Sequence, residues 1–155
     1  MSTFRPRRSV LYMPGSNTRA LEKAKTLPAD TIIMDLEDAV APDMKEEARE
    51  NIRNAVQAGG YGAREIVIRV NGLDTEWGTE DMMAAIAARP DAILIPKVNS
   101  VDELRLAAGS LSASDMEDVA LWAMIETPLA ILNIAEIAAA AKVPDIPLAA
   151  FVMGT

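Results

Sequence analysis

Short apolar segments recur along the chain and alternate with longer segments of mixed polarity. The apolar segments begin near residues 9, 31, 65, 92, 119 and 148, and most are nearly continuous runs of Val, Ile, Leu and Met. Such runs are typical of parallel strands that are buried on both faces. The intervening segments, residues 17–27, 42–59, 79–88, 100–111 and 128–142, have helical character. The pattern therefore predicts repeated βα units and a parallel sheet.

Two α/β architectures fit six such units: a doubly wound open sheet and a (β/α)₈ barrel. Neither a Gly-rich dinucleotide motif after the first strand nor a P-loop sequence is present. A complete barrel takes about 250 residues. We interpret residues 1–155 as a single domain that supplies about the first six strands of a TIM barrel. We expect the remainder of the barrel to lie outside this sequence, and a complete six-stranded open sheet is the alternative.

Ionisable residues stand where four of the apolar segments end. Alternation along a strand places Ile33, Asp35 and Glu37 on one face of the second strand. In a barrel the carboxyl ends of the strands meet at one mouth. The ionisable residues that we expect to converge there on the inner face are Asp35, Glu37, Arg69, Lys97 (aligned with Ile93 and Ile95) and Glu126, with Asp38 in the loop just beyond. Buried charges cost several kcal/mol each unless they are paired, so mixed signs, a cation and an anionic substrate would account for this pattern.

Several of these residues have a simpler alternative explanation. Asp38 could cap the turn toward the next helix, and Lys97 could be a buried ion-pair partner of Glu37 or Asp35 instead of a substrate-binding or Schiff-base lysine. Arg69 lies inside an apolar strand, and its planar guanidinium suits bidentate carboxylate binding. We therefore expect Arg69→Ala to abolish binding of an acid substrate and to leave the fold intact.

The turn after the first strand, "MPGSN" at residues 13–17, contains Pro14, Gly15 and Ser16. Its backbone N–H groups, with Arg19 nearby, could hold an anion. Turns of small residues also serve simply as tight βα connections.

Composition narrows the possible chemistry. The net charge of −8 disfavours nucleic acid and anionic membrane surfaces as partners. No apolar run approaches the roughly 20 residues of a membrane span, and no targeting segment is recognisable, so we expect a cytoplasmic protein. The chain has no Cys and no His, which leaves carboxylates, Lys, Arg, Ser, Thr, Tyr, backbone groups or a hard metal ion for catalysis.

The motifs "RSVLYMPGSN", "DLEDAV" followed by "AP…K…AR", "IRVNG", "IPKV" and "IETP" occur in this order along the chain. In these motifs the sequence resembles the citrate lyase beta-subunit-like branch of the HpcH/HpaI aldolase superfamily. The resemblance covers essentially the whole chain and implies a (β/α)₈ barrel that assembles into homo-trimers or homo-hexamers.

The resemblance also implies roles for individual residues. It implies a Mg²⁺ ion bound by Glu126 and by an Asp shortly after the sixth strand, which this sequence does not include. It implies that Arg69 grips the substrate carboxylate and that Glu37 and Asp38 lie beside the metal and its waters. The first loop, with Pro14, Gly15, Ser16 and Arg19, would lie near CoA or an acyl carrier.

The implied activity is a Mg²⁺-dependent carbon–carbon lyase. Its substrate would be a 3-hydroxy-acyl thioester such as malyl-, citramalyl- or citryl-CoA or the carrier-bound equivalent, cleaved to a 2-keto acid and an acetyl thioester. The alternatives are a thioester hydrolase on the same scaffold and a fragment without catalytic activity of its own.

Overall fold

The computed structural model describes residues 5–116 and 118–154. Its strands are β1 (Val10–Pro14), β2 (Thr31–Asp35), β3 (Glu65–Arg69), β4 (Ala92–Ile95), β5 (Ala120–Ile125) and β6 (Leu148–Met153). Its helices are α1 (Thr18–Ala24), α2 (Lys45–Ala58), α3 (Gly78–Ala88), α4 (Val101–Ser112), α5 (Pro128–Leu132) and α6 (Ile134–Ala139). Pro42–Met44 and Ala140–Lys142 form short 3-10 turns. The predicted strands are therefore confirmed to within a residue at their starts.

The strands form one parallel sheet in the order β1-β2-β3-β4-β5-β6. A doubly wound sheet reverses its strand order at a switch point, whereas a βα barrel adds each new strand beside the previous one. The sequential order therefore excludes the doubly wound alternative.

The two faces of the sheet pack against different parts of the chain. On the outer face, side chains such as Ile32, Ile68 and Leu121 pack against apolar residues from all six helices. The inner face carries a second cluster built only from strand residues, namely Ile33, Val67, Ala92, Leu94, Trp122 and Met124, with Tyr12, Ala120, Ala150 and Val152 against them. Helices on one face and strand side chains on the other are the layering of a βα barrel, so the chain forms the first six strands of that fold.

Helix ends follow local chemistry in most places. The side chains of Asn17 and Thr127 accept N–H bonds at the starts of α1 and α5. Gly59 ends α2 with a positive φ of 65°, which suits glycine. Helix α3 is an exception, because it begins at Gly78 after Trp77 and no side chain caps its start.

None of these helices, within the described part of the chain, has the length and apolar character required to cross a bilayer.

Ion pairs at the amino-terminal rim of the sheet give a pH-dependent prediction. Arg8 donates its backbone N–H and its guanidinium to Asp30 at 2.8–3.0 Å, and these bonds lower the pKa of Asp30 to about 2. Because the folded pKa lies below the ordinary value of 3.8, this stabilisation is present above that value and is lost as the pH falls through the folded pKa. We expect Asp30→Asn to lower the urea midpoint at pH 6 and the deficit to shrink between pH 4 and pH 2. An equal deficit at pH 6 and pH 2 would contradict this assignment.

Candidate functional site

The charged residues lie at the carboxyl-terminal rim of the sheet, beside a cavity of about 670 Å³. The cavity is bounded by loops that follow β2, β3, β4 and β5. Its charged lining residues are Glu37, Asp38, Lys45, Asp74, Lys97 and Glu103, and its apolar wall includes Val40, Leu73, Trp77 and Leu106. A cavity of this size and mixed character suits a small polar ligand with an apolar extension.

Arg69 and Asp35 form a buried ion pair at the base of the site. They are register partners on adjacent strands, and Arg69 Nε and Nη2 each donate to one oxygen of Asp35 at 2.6 Å. Asp35 is fully buried and Arg69 is 6% exposed. The guanidinium lies 5.0 Å from the centre of the Tyr12 ring. The carboxylate raises the already high pKa of Arg69, although burial opposes it, so the guanidinium stays charged.

Asp35 also shapes the loop that follows β2. Its two carboxylate oxygens accept the backbone N–H groups of Glu37 and Ala39 at 2.9 and 3.0 Å. The turn is therefore capped by Asp35, and Asp38, which the sequence offers as a possible cap, is left exposed at the cavity.

Glu37 is buried between two cations. Its Oε2 lies 2.8 Å from Arg69 Nη1, off the hydrogen-bonding direction, and its Oε1 accepts from Lys97 Nζ. Burial raises the pKa of the Glu37 carboxyl, and the hydrogen bond from Lys97 and the charge of Arg69 oppose that effect. Asp38 stands at the edge of this cluster, with oxygens 3.8 Å from Arg69 Nη1 and 3.9 Å from Lys97 Nζ.

The Lys97 side chain lies in the cluster, although alternation along β4 would point it away from the cluster. Ile93 and Ile95 belong to the helix-facing core, and Leu94 belongs to the inner cluster. Alternation from β4 would therefore send Lys97 toward the helices. The chain leaves the extended conformation after Ile95, and Lys97 has a φ of 51°, a strained value for a residue with a side chain. This bend turns the ammonium back to Glu37 and explains the raised pKa of Lys97.

The backbone of Lys97 also ties Glu126 to the site. Its N–H donates to Glu126 Oε1 at 2.9 Å. Glu126 directly follows β5, and a Cβ at Gly154 would contact both its side chain and that of the inner-facing Met124. The backbone at Gly154 passes close by, since a Cβ there would lie 2.8 Å from Glu126 Oε2.

The first loop stands apart from the cavity. Pro14 is the register partner of Asp35, and Gly15 donates its N–H to Asp35 O at 2.8 Å. Any side chain at Gly15 would collide with Ile52 at 2.6 Å and with Asp35 O at 2.9 Å. This tight packing explains the glycine as a βα connection. Ser16 is half-buried and Arg19 is exposed, and the structure does not bring them to Glu37 or Lys97.

Sequence reasoning missed a set of buried, hydrogen-bonded polar side chains at the wall of the cavity. Lys45, Asn71 and Asp81 are each at most 5% exposed and are joined by hydrogen bonds. The only sequence signal is that Lys45 and Arg49 stand one helical turn apart in the "AP…K…AR" motif.

The described residues 5–116 and 118–154 contain no group of three or more acidic side chains close enough to hold a metal ion. Glu126 has one oxygen held by a backbone N–H and a second oxygen beside Gly154.

Comparison with known proteins places this geometry in context. Residues 8–153 match the profile of the HpcH/HpaI aldolase/citrate lyase family. A (3S)-malyl-CoA thioesterase of Cereibacter sphaeroides is 51% identical over 150 residues, which are 97% of this chain and 49% of that protein. The citrate lyase subunit beta of Escherichia coli K12 is 34% identical over 144 residues, which are 89% of this chain and 48% of that protein. The chain thus spans about half the length of the curated relatives it matches.

A solved structure shares the fold. The CitE protein of Mycobacterium tuberculosis, in complex with magnesium, acetoacetate and coenzyme A, superposes with a TM-score of 0.74 and 25% identity, over 96% of this chain and 50% of that one.

Proposed function

The chain belongs to the HpcH/HpaI aldolase/citrate lyase family, and on that premise we propose that it forms part of a Mg²⁺-dependent enzyme acting on 3-hydroxy-acyl thioesters. The reaction we assign is carbon–carbon cleavage of a malyl-, citramalyl- or citryl-type thioester to a 2-keto acid and an acetyl thioester. The observation that carries this proposal is the cluster of Glu37, Asp38 and Lys97, which line the 670 Å³ cavity. Arg69 joins this cluster through Glu37 and Asp38.

The metal would be held by Glu126, with Glu37 and Asp38 beside it. Glu126 Oε2 is the oxygen that the Lys97 N–H leaves free, and Mg²⁺ needs only one or two carboxylates together with water and substrate oxygens. A carboxylate that follows β6 would complete the set, because Gly154 already brings the backbone to Glu126. When bound, the ion supplies Lewis-acid polarisation of the carbonyl oxygen of the keto acid.

The chain's own residues orient the substrate and move the proton. Arg69 has Nε and Nη2 held by Asp35. The nitrogen left for a substrate carboxylate is Nη1, which lies 2.8 Å from Glu37 Oε2 and donates to Met124 Sδ at 3.7 Å. Cleavage removes the proton of the 3-hydroxyl, breaks the adjacent carbon–carbon bond and leaves the enolate of the acetyl thioester, which must then be protonated. Asp38 is an exposed carboxylate at the cavity, 3.8 Å from Arg69 Nη1, and is suited to this proton transfer. Lys97 balances the negative charge of Glu37 during these steps.

Hydrolysis of the thioester is the second candidate function, because a relative at 51% identity is named a malyl-CoA thioesterase. The products distinguish the two reactions when malyl-CoA is incubated with the chain and Mg²⁺. Glyoxylate with acetyl-CoA supports cleavage, whereas malate with free CoA supports hydrolysis. Neither product, together with no Mg²⁺ binding, would count against both.

The metal site gives a prediction that does not depend on turnover. We expect Mg²⁺ to bind in the presence of pyruvate, measured by titration calorimetry, and Glu126→Gln to weaken it by about tenfold or more, since even outer-sphere changes cost about 10- to 100-fold. Glu136→Gln is the control, because Glu136 is exposed on α6. Equal Mg²⁺ affinity in the two variants would remove Glu126 from the metal site.

A further inference from the structure

We infer that Lys45 is a positioning residue that holds the Glu37–Asp38 loop in the geometry of the site. The inference that this loop belongs to an active site rests on the proposed function. The inference that Lys45 holds the loop in place rests on hydrogen bonds alone. Lys45 lies at the start of α2, and its ammonium donates to Leu36 O at 2.6 Å, to Glu37 O at 2.8 Å and to Asn71 Oδ1 at 3.1 Å.

The number of N–H donors on the Lys45 ammonium supports a positioning role. An ammonium has three N–H donors, and in Lys45 each has a protein acceptor. Lys45 is 5% exposed, although it lines the cavity. It therefore has no donor left for a ligand, and its effect on a ligand must pass through the groups that it holds.

The acceptors are equally committed. Leu36 O accepts from Lys45 and from Asn71 Nδ2 at 2.8 Å. Glu37 O accepts from Lys45 and from the Val40 N–H at 3.1 Å. A carbonyl oxygen has two lone pairs, so both carbonyls are fully used. Removing the ammonium would leave each buried carbonyl one donor short, directly before Asp38.

The network behind Lys45 fixes the ammonium in turn. Asp81 of α3 accepts the backbone N–H of Asn71 at 2.9 Å and its amide at 2.5 Å. Arg49 of α2 donates to the other Asp81 oxygen at 2.7 Å. The Lys45 ammonium also lies 5.1 Å from the centre of the Trp77 ring. The loop after β2 is thus joined through side chains to α2, to the end of β3 and to α3.

Hydrogen exchange of single amides tests this inference on the full chain. Lys45→Met keeps the length of the side chain and removes every donor. We expect the amides of Leu36, Glu37 and Val40 to exchange about tenfold faster or more, since a hydrogen bond to a charged group is worth at least that factor. Amides of β4 should keep their rates, and Lys45→Arg should restore part of the protection of the loop.

A matched control is available on α1. Lys25 pairs with Glu22 at 2.7 Å and stands over the Tyr61 ring, so Lys25→Met removes a similar set of contacts away from the cavity. We expect it to leave the loop amides unchanged. If Lys45→Met does not fold, Lys45→Gln, which keeps a polar head group, replaces it in the same comparison.

The outcomes separate this inference from the proposed function. Unchanged loop exchange, or equal acceleration of loop and β4 amides, would overturn the positioning role. If the wild-type chain binds Mg²⁺ with pyruvate and Lys45→Met binds it equally well with a loosened loop, the link to the site is also overturned. If the wild-type chain binds neither Mg²⁺ nor pyruvate, the proposed function fails. The exchange rates then still decide whether Lys45 holds the loop.

Discussion

Replacing Arg69 by Met is expected to lower the free energy of unfolding by about 3–5 kcal/mol, the usual cost of stranding one partner of a buried ion pair. Asp35 is fully buried, and each of its carboxylate oxygens accepts one bond from the Arg69 guanidinium at 2.6 Å and one from a backbone N–H group. Met is long, flexible and apolar, so the loss would come from the missing charge. Urea denaturation followed by circular dichroism, with linear extrapolation, measures the change.

A surface arginine provides the control for this substitution. Arg53 donates to Glu50 at 2.7 Å on the exposed face of α2, and Arg53→Met should cost at most about 1 kcal/mol. The double variant Asp35→Asn with Arg69→Met should regain part of the loss, because no buried charge is then left alone. If Arg69→Met costs no more than Arg53→Met, the pair does not stabilise the fold as argued.

This expectation changes how a binding defect at position 69 must be interpreted. From the sequence, Arg69→Ala is expected to abolish acid binding while the fold remains. The structure gives Arg69 a structural partner in Asp35 and a second carboxylate contact in Glu37. A loss of binding in an Arg69 variant therefore supports a substrate contact only when the folded fraction has been measured in the same sample.

Strand positions could be predicted from the sequence because burial on both faces leaves a continuous apolar run. The inward direction of Ile33, Asp35 and Val67 followed from alternation, and the structure places Ile33 and Val67 in the inner cluster with the Asp35–Arg69 pair beyond them. The same rule fails at Lys97, because alternation holds only while the chain is extended. Pro96 has no backbone N–H group and cannot continue the hydrogen bonding of a strand. The next residue, Lys97, has a positive φ, so the chain is no longer extended there.

The polar network around Lys45 could not be predicted for a different reason. Lys45 and Asp81 lie on different helices, and Asn71 lies after a strand, so their contacts depend on how α2 and α3 pack. In the sequence Lys45 and Asp81 look like ordinary solvated positions on amphipathic helices. Only the packing shows that they are at most 5% exposed.

Two glycines in the described part of the chain allow the packing of the cavity wall to be tested with one type of substitution. Gly78 begins α3, and a Cβ there would lie 2.2 Å from Gly72 O and 2.7 Å from Leu73 Cα. Both contacts are with backbone atoms, which cannot rotate away. The loop that they belong to lines the cavity. Gly109, in the interior of α4, would place a Cβ with nothing within 4 Å.

We expect Gly78→Ala and Gly109→Ala to change stability in opposite directions. Gly78→Ala must push the loop with Gly72 and Leu73 outward, and overpacking of this kind costs about 1–3 kcal/mol or more. Gly109→Ala should add about 0.5–1 kcal/mol, because alanine loses less backbone entropy than glycine in a helix. Urea midpoints measured side by side give both values.

Hydrogen exchange gives a second measurement of the same displacement. Because Gly72 follows Asn71, the displaced loop should also disturb the hydrogen bond from Lys45 to Asn71. The Val40 amide should therefore exchange faster in Gly78→Ala and not in Gly109→Ala. Stability changes of the same sign in the two variants would show that close packing at Gly78 does not hold the cavity wall.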